Sequence, residues 1–374
     1  MEFAEWIVFV AFAVVAVIQL AYYWMVFSRL AFAKKSLAAV RHEYPPVSVV
    51  ISARNEDKNL KSFLPEILNQ DYPDFEVLVV NDLSDDNTPA LLEEMQKQYP
   101  HLRVFTLSQH LNFFSGKKFP LSLGIKSVKH DHLLLTDADC HPKSDQWIKS
   151  MMASYDEQTE LVLGYGAYEK KKGFLNTLIR YETLKTAMQY FSYAMMGLPY
   201  MGTGRNLSYK RSLFYRVGGF TSHYRIASGD DDLFVNKVAT PENTRLSYSK
   251  ESHTLSQPKT SFGSWFSQKS RHVSTGKYYK PVHKYWLGTY TVTKALIYIL
   301  FALAMIFIPM GIFFYISASV MGLFLISQIA VSEAAARKLD EKGIGWGAPF
   351  LELFFIILEP LWLAGNIFRK NQWK

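Results

Sequence analysis

One cysteine, Cys140, stands in 374 residues, so no disulfide can close within the chain, and that scarcity suits a reducing compartment. Acids are outnumbered, 33 Asp and Glu against 41 Lys and Arg, for a formal charge of +8. Such a surplus often marks nucleic-acid binding. Yet the chain lacks zinc-ligand spacing, an aromatic-and-basic repeat and any recognised nucleic-acid motif. Internal repeats and low-complexity linkers are missing too, and 49% hydrophobic with 15% aromatic residues excludes disorder and supplies a sizeable core. The most informative shortage is of charge near the two ends. Trp6 to Phe27 carries none, and a bilayer core needs about 20 apolar residues. The opening MEFAE is acidic, unlike the basic start of a cleaved signal, which favours an uncleaved anchor over residues 1–28. Arg29, Lys34, Lys35 and Arg41 follow it. The positive-inside bias then puts the N-terminus outside and the chain after it in the cytoplasm, at the inner cell membrane.

Ala295 to Val331 is a second stretch without charge, 37 residues long, with Pro309 and Gly311 placed where a hairpin would turn. Gly347 to Ile367 is also apolar but holds Glu352, Glu359 and Pro360, and acids at membrane depth are usually paired or functional. The basic tail from Arg369 favours the cytoplasm, whereas four full crossings from an outside N-terminus would leave it outside. The last segment is therefore expected to depart from a simple crossing. These runs predict a C-terminal membrane region over 288–374, with two helices in 288–331 and a third segment at 347–367. The basic stretch Gln268 to Lys284, with five Lys or Arg and no acid, fits an anionic lipid surface better than a nucleic acid.

Between the anchors, residues 45–285 have ordinary globular composition and read as one cytoplasmic domain. Short β-branched runs alternate with helical spacing: VSVVISAR before DKNLKSFLPEILNQ, FEVLVVND before TPALLEEMQKQYP, LRVFTLS before GKKFPLSLGIKSVKHD, then DHLLLTDAD. Near-continuous apolar strands separated by helices predict an α/β fold with a mostly parallel, Rossmann-like sheet covered on both faces. Ligands bind such sheets outside the carboxyl ends of the strands. Three strands end there in polar or acidic residues, so Asp82, Asp137 and Asp139 are expected to converge. Strand alternation aims Asp137 and Asp139 the same way. Two carboxylates that close repel unless a cation lies between them, and Mg²⁺ or Mn²⁺ favours such oxygen ligands and bridges to phosphates. Asp residues capping turns at strand ends are the plainer explanation.

VSVVISARNE, VLVVNDLSDDNT, GKK, LLLTDADCHP, GDDDLF and QKSRH occur in the order and spacing of family-2 inverting glycosyltransferases of GT-A fold. The chain resembles most the membrane-bound branch with a QxxRW motif, which includes cellulose and hyaluronan synthases and ceramide glucosyltransferases. The resemblance covers about 45–272. It implies that Asp82 contacts the uridine of a UDP-sugar, with Arg54, Asn55 and Glu56 at the edge that holds the base. Asn81 and Leu83 depart from the usual Asp-Asp-Gly-Ser at its first and third positions. Lys117 or Lys118 resembles the lysine that helps hold the nucleotide. Asp137 and Asp139 match the DxD, whose second acid ligates the metal on the diphosphate.

Inverting transfer is one displacement and needs one base. The resemblance places that base in Asp230, Asp231 and Asp232: aligning DDLFVNK gives Asp232, the preferred choice, aligning the terminal DL gives Asp230, and the middle acid stays open. Crowding of like charge should raise at least one of their pKa values. Met201 to Phe220 resembles the acceptor-side segment, with Gly202, Thr203, Gly204 and Arg205 candidates for acceptor contact. Gln268, Arg271 and His272 fill the QxxRW positions on an interface helix near 262–280, with His in place of Trp. Trp265 and Phe266 just before them are candidates to seat that helix at the membrane surface, Trp265 also at the acceptor.

The expected activity is metal-assisted transfer of a sugar from a UDP-sugar to a membrane-associated lipid, or to a growing glycan if the enzyme is a processive polysaccharide synthase. A catalytically dead, membrane-bound nucleotide-sugar-binding protein is the rival from another class, disfavoured because all the expected acids are present. A nucleotidyltransferase would need a Gly-rich loop that SARNEDKNL does not offer, and a transporter would need repeated spans.

Overall fold

A computed structural model describes residues 3–34, 44–108, 116–226 and 228–368, the side chains of 366–368 excepted. Lys35, Arg41 and the basic tail from Arg369 lie outside the described residues.

The apolar runs become strands β1 (Val47–Ala53), β2 (Phe75–Asn81), β3 (Leu102–Thr106) and β4 (His132–Asp137), paired in parallel in the order β3-β2-β1-β4. Both faces are covered, as their near-continuous hydrophobicity requires. Val47, Val49 and Ile51 pack with Leu60, Leu64 and Ile67 of α3 (Asp57–Leu68), beneath which α4 (Thr88–Gln98) contributes Leu92. Val50, Leu78 and Val80 turn the other way, onto Leu121 and Ile125 of α5 (Lys118–Ser127). Gly124 makes that approach possible, because a Cβ there would sit 2.5 Å from a Val80 methyl.

After β4 the chain forms β5 (Cys140–Pro142), α6 (Trp147–Met152), β6 (Leu161–Leu163) and β7 (Gly166–Tyr168), then the long α7 (Phe174–Met195). It continues through β8 (Leu207–Lys210), α8 (Arg211–Arg216), α9 (Asp232–Val238), β9 (Thr244–Leu246) and β10 (Thr254–Ser256). Strands β8, β6 and β9 extend the main sheet to seven strands beyond β4, with β8 antiparallel to both its neighbours; β5, β10 and β7 make a second, three-stranded sheet. The amphipathic α10 (Phe262–Val273) is capped by the Ser261 hydroxyl and leads to the first C-terminal membrane-type helix.

Four helical segments among the described residues are long and apolar enough to cross a bilayer: Phe3–Ala31, Pro281–Phe307, Ile312–Lys338 and Ile344–Gly365. The first consists of α1 (Phe3–Ala21), a π-helical turn (Tyr22–Phe27) and α2 (Ser28–Ala31). The others hold α11 (Pro281–Phe307), α12 (Ile312–Lys338) and α13 (Ala348–Phe368). The turn between α11 and α12 falls at 308–311, where Pro309 and Gly311 stand. Apolar side chains such as Ile306, Ile326 and Ile357 face outward, and the few polar ones turn inward: Gln19 of α1 donates to the Tyr290 carbonyl (3.2 Å) and the Thr293 hydroxyl (2.7 Å) of α11. The last segment is one helix through Pro360, and its two acids are partnered. Glu352 and Glu359 meet Lys294 of α11 at 3.1 and 2.9 Å, and Lys185 of α7 reaches Glu359 at 2.5 Å.

Candidate active site

Register decides what gathers at the strand ends. Ala53 pairs with Asn81 and Ser52 with Asp137, so the residues just beyond β1, β2 and β4 share one edge. There Arg54, Glu56, Asp82, Asp137 and Asp139 line a cavity of about 640 Å³. The loops that deliver them are tight. Asn55 and Leu83 both have positive φ, 56° and 52°, so Leu83 holds the left-handed turn that a glycine would take, at a cost of ~1–2 kcal/mol. Buried Asn81 accepts from the Ser84 N–H (3.2 Å) and thereby closes this turn. Asn55 points away from the cavity: its Oδ1 accepts from the Asp85 N–H (2.9 Å) and its N–H donates to Ser84 Oγ, so it ties the two strand-end loops together.

Asp137 ends β4, and Asp139 lies in the turn that follows. A reversal of the chain, not strand alternation, therefore brings these carboxylates together. Their oxygens and Cys140 Sγ all lie within 4.8 Å of one another. The thiol, raised well above its usual pKa by burial and by Asp139, bonds to Ser256 Oγ at 2.8 Å, which leaves two carboxylates as donors. They are unequally compensated. Lys117 Nζ sits 2.7 Å from Asp137, and although burial opposes it, this lysine together with Arg205 and Arg271 holds the Asp137 carboxyl below the usual range. Asp139 is pushed up by burial and by Asp137 itself. Glu56 nearby is raised by burial, with Asp139 and Asp137 adding. Oxygen donors with an excess of negative charge, open to a cavity, fit a hard divalent cation.

Lys117 also lies 3.0 Å from Asp230, so one ammonium links the strand-end acids to the Asp230–Asp232 cluster. Burial works against its charge, but Asp137, Asp230 and Asp231 keep its pKa well above the usual lysine value. Gly204 leaves room for this: a Cβ there would lie 3.3 Å from Lys117 Nζ and 3.4 Å from Asp231 Oδ2. Its N–H donates to Asp231 (2.7 Å). Thr203 and Arg205 beside it line the cavity, the Arg205 guanidinium 4.3 Å from the centre of the Tyr168 ring. Gly202 does not; it packs tightly against Leu207 and Leu163.

The three consecutive acids differ in what they touch. Asp230 faces Lys117. Asp231 caps α9 by accepting from the Asp232 N–H, lines the cavity half-buried, and is pushed up to about 7 by burial and then by Asp230 and Asp232. Asp232, the acid preferred from alignment, has both oxygens engaged: it accepts from Thr275 Oγ1, from the Tyr279 hydroxyl (2.7 Å) and from the Leu233 N–H (2.8 Å). Those bonds hold α9 to the segment after α10, while Asp232 also lines the cavity and its carboxyl is raised by burial. Of the two lysines left open by the sequence, Lys117 lines the cavity and Lys118 does not. Its ammonium is buried and donates to the carbonyls of His223 (2.9 Å), Ile226 (2.5 Å) and Ser228 (2.6 Å), so it braces the loop before the acids instead of entering the cavity; burial lowers its pKa to about 8.

Gln268, Arg271 and His272 project from α10 into the same cavity, and burial, with Arg271 beside it, keeps the His272 ring neutral by pushing it well below its usual value. Trp265 does not reach it. Its ring is fully buried, edge-on to Trp362 at 5.5 Å and Phe355 at 6.4 Å, where it locks α10 to α13. Among the described residues, the reading from sequence missed Tyr168, Thr275 and Tyr279, and a group farther along the cavity, Lys185, Lys294 and Glu359. The last three carried a signal: charges next to or inside apolar runs.

Residues 48–225 match the family model described as Glycosyl transferase family 2. That stretch, just under half of the chain, is a family-2 glycosyltransferase domain. The curated relatives it resembles include a beta-monoglucosyldiacylglycerol synthase of Synechocystis, 27% identical over 142 residues, 37% of this chain and 28% of that protein. A probable glycosyltransferase of Bacillus subtilis is 27% identical over 189 residues, 48% of this chain and 43% of that one. The matched stretches thus span less than half the length of these relatives. A mannosyltransferase from Pyrobaculum calidifontis, solved with GDP-Man and Mn²⁺, superposes over 98% of this chain and 99% of its own with a TM-score of 0.62 at 19% identity, and the two chains share the GT-A fold.

Proposed function

We propose that the protein is a membrane-bound inverting glycosyltransferase that moves a sugar from a nucleotide-sugar, UDP-linked by the family resemblance, to a lipid acceptor at the cytoplasmic membrane surface. The observation that carries this reading is a single cavity lined by Asp82, Asp137, Asp139 and Asp231, with Lys117 joining its acidic clusters. Asp139 and Asp137 are the residues to hold Mg²⁺ or Mn²⁺, which when bound would neutralise charge growing on the leaving diphosphate. Arg271 and Lys117 add positive charge on the same side, and Asp82 with Arg54 and Glu56 holds the nucleoside. Asp231 takes the proton of the acceptor hydroxyl as that oxygen bonds to the anomeric carbon and the bond from carbon to phosphate oxygen breaks. All three neighbouring acids line the cavity; the Asp231 carboxyl is raised to about 7, near the working range of a base, whereas Asp232 is held by Thr275 and Tyr279. The four apolar helices, and relatives that glycosylate diacylglycerol by name, support a lipid acceptor.

The test is detergent-purified protein offered UDP- and GDP-sugars with membrane lipid and Mg²⁺ or Mn²⁺, with products extracted and weighed by mass spectrometry. GDP-sugars belong in the panel because the Pyrobaculum neighbour carries GDP-Man. Expected is a glycolipid whose formation disappears in Asp139→Asn. A long glycan would turn the reading to a polysaccharide synthase, and no nucleotide release from any donor would refute it.

A further inference from the structure

The cavity does not stop at the acids. It continues between α7, α11 and α13 as an arm lined by Thr186 and Gln189, by Leu287 and Thr291, and by Trp362 and Leu363. Thr291 and Leu363 lie on the exposed side of their helices, so the arm opens toward the surface that lipid would cover. We propose that this arm receives the head of an uncharged lipid bearing a free hydroxyl, and discriminates against lipids that end in phosphate. The inference rests on the transferase reading and names the acceptor class of the same site.

Charge balance carries it. Among the described residues, the lysines and glutamates paired around the arm are Lys185, Lys269 and Lys294 with Glu182, Glu352 and Glu359. Each of these three lysines is matched: Lys269 with Glu182, Lys185 with Glu359 at 2.5 Å, and Lys294 with Glu352 at 3.1 Å and Glu359 at 2.9 Å. Tyr181 adds its hydroxyl to Glu352 at 3.0 Å. A phosphate entering here would bring negative charge into a half-apolar space where each ammonium already faces an acid, and uncompensated charge in such surroundings is costly. Arg271, Arg205 and Lys117 act at the other end on Asp137, where the donor diphosphate is proposed to lie. What the arm offers is neutral and polar. Thr186 and Gln189 are half-buried, and Gln268 Oε1, between the two ends, is buried and accepts no hydrogen bond among the described residues. Such groups suit hydroxyls, and Leu287, Trp362 and Leu363 suit an acyl chain.

The experiment uses the full chain in phosphatidylcholine vesicles doped at equal mole fraction with diacylglycerol and with polyprenyl phosphate, given the donor found active and Mn²⁺. Expected is sugar on diacylglycerol in at least ~10-fold excess over polyprenyl phosphate, and a narrowing of that ratio by ~10-fold in Glu359→Gln, which leaves two lysines facing one fewer charge. Equal or preferred use of polyprenyl phosphate by the wild-type protein overturns the inference, as does a folded Glu359→Gln with an unchanged ratio. The wild-type choice of lipid decides the matter even if that variant does not fold. Nucleoside diphosphate released only with a water-soluble glycan as product sinks the lipid assignment and leaves the transferase standing, whereas no release from any donor sinks both.

Discussion

The two ends of the cavity use the same residue types to opposite purpose. At the strand edge, Asp137, Asp139, Asp230 and Asp231 share Lys117 and a few arginines, and the result is two raised carboxyls, Asp139 and Asp231. Along the arm, Glu182 of α7 and Glu352 and Glu359 of α13 each meet a lysine. Crowded, under-neutralised acids are costly to fold and persist where a ligand completes them; matched pairs hold helices together where water is scarce. On the proposed reading, the first arrangement takes charge from outside the protein and the second excludes it.

Substitutions should break the two ends differently. The largest effect is expected for Asp231→Asn: turnover falls by about 10²–10⁴-fold, the usual contribution of a general base, while donor binding measured by calorimetry persists. The same variant should gain stability at alkaline pH. The folded carboxyl titrates near 7, above its unfolded value, so the folded state binds the extra proton and the wild-type protein loses stability as pH rises from about 4 through 7. Thermal unfolding at pH 8 checks it, and a wild-type activity profile should rise along a limb near pH 7. If activity is indifferent to Asp231→Asn, the base has been misassigned. Lys294→Met comes next. It leaves Glu352 and Glu359 with one lysine and should cost about 3–5 kcal/mol in denaturant or heat while sparing nucleotide affinity, the reverse of the Asp231 pattern.

Thr275→Val should have a smaller effect, about 1–3 kcal/mol, by removing one donor to buried Asp232. Its signature is a fall in turnover without loss of metal dependence, because α9 and Asp231 at its cap shift together. Smallest is Leu83→Gly, where relief of the left-handed strain and the added flexibility of glycine nearly cancel to within about 1 kcal/mol; a large change in donor KM would show that the Leu83 side chain itself touches the nucleotide.

How far sequence reached follows from the kind of information each feature needs. Strands β1 to β4 were legible because buried parallel strands are continuous apolar runs, and the carboxyl-edge rule then located Asp82, Asp137 and Asp139 without any tertiary contact. Distinctions between neighbours were not. Lys117 and Lys118 are adjacent, yet the start of α5 sends one into the cavity and the other to three carbonyls behind the Asp230 loop. Asp231 and Asp232 separate only because Thr275 and Tyr279, 43 and 47 residues beyond Asp232, fold back onto the second of them. For Trp265 the sequence left membrane-surface seating and core packing equally open, and the cover by α13 decides for the core. Lys294 stands one residue before the uncharged run at Ala295, and its partners are on α7 and α13, so only the packed helices display the pairing.

The proposed transfer depends most on the strand-end acids gripping a divalent ion against the donor diphosphate. Calorimetric titration of UDP and GDP into the purified protein, with and without Mn²⁺, addresses it directly. At least one nucleotide should bind ~10-fold or more tightly with Mn²⁺, and Asp139→Asn should abolish that gain while leaving metal-free binding intact. Binding by the wild-type protein that ignores Mn²⁺, or a full Mn²⁺ effect retained in Asp139→Asn, would contradict the account.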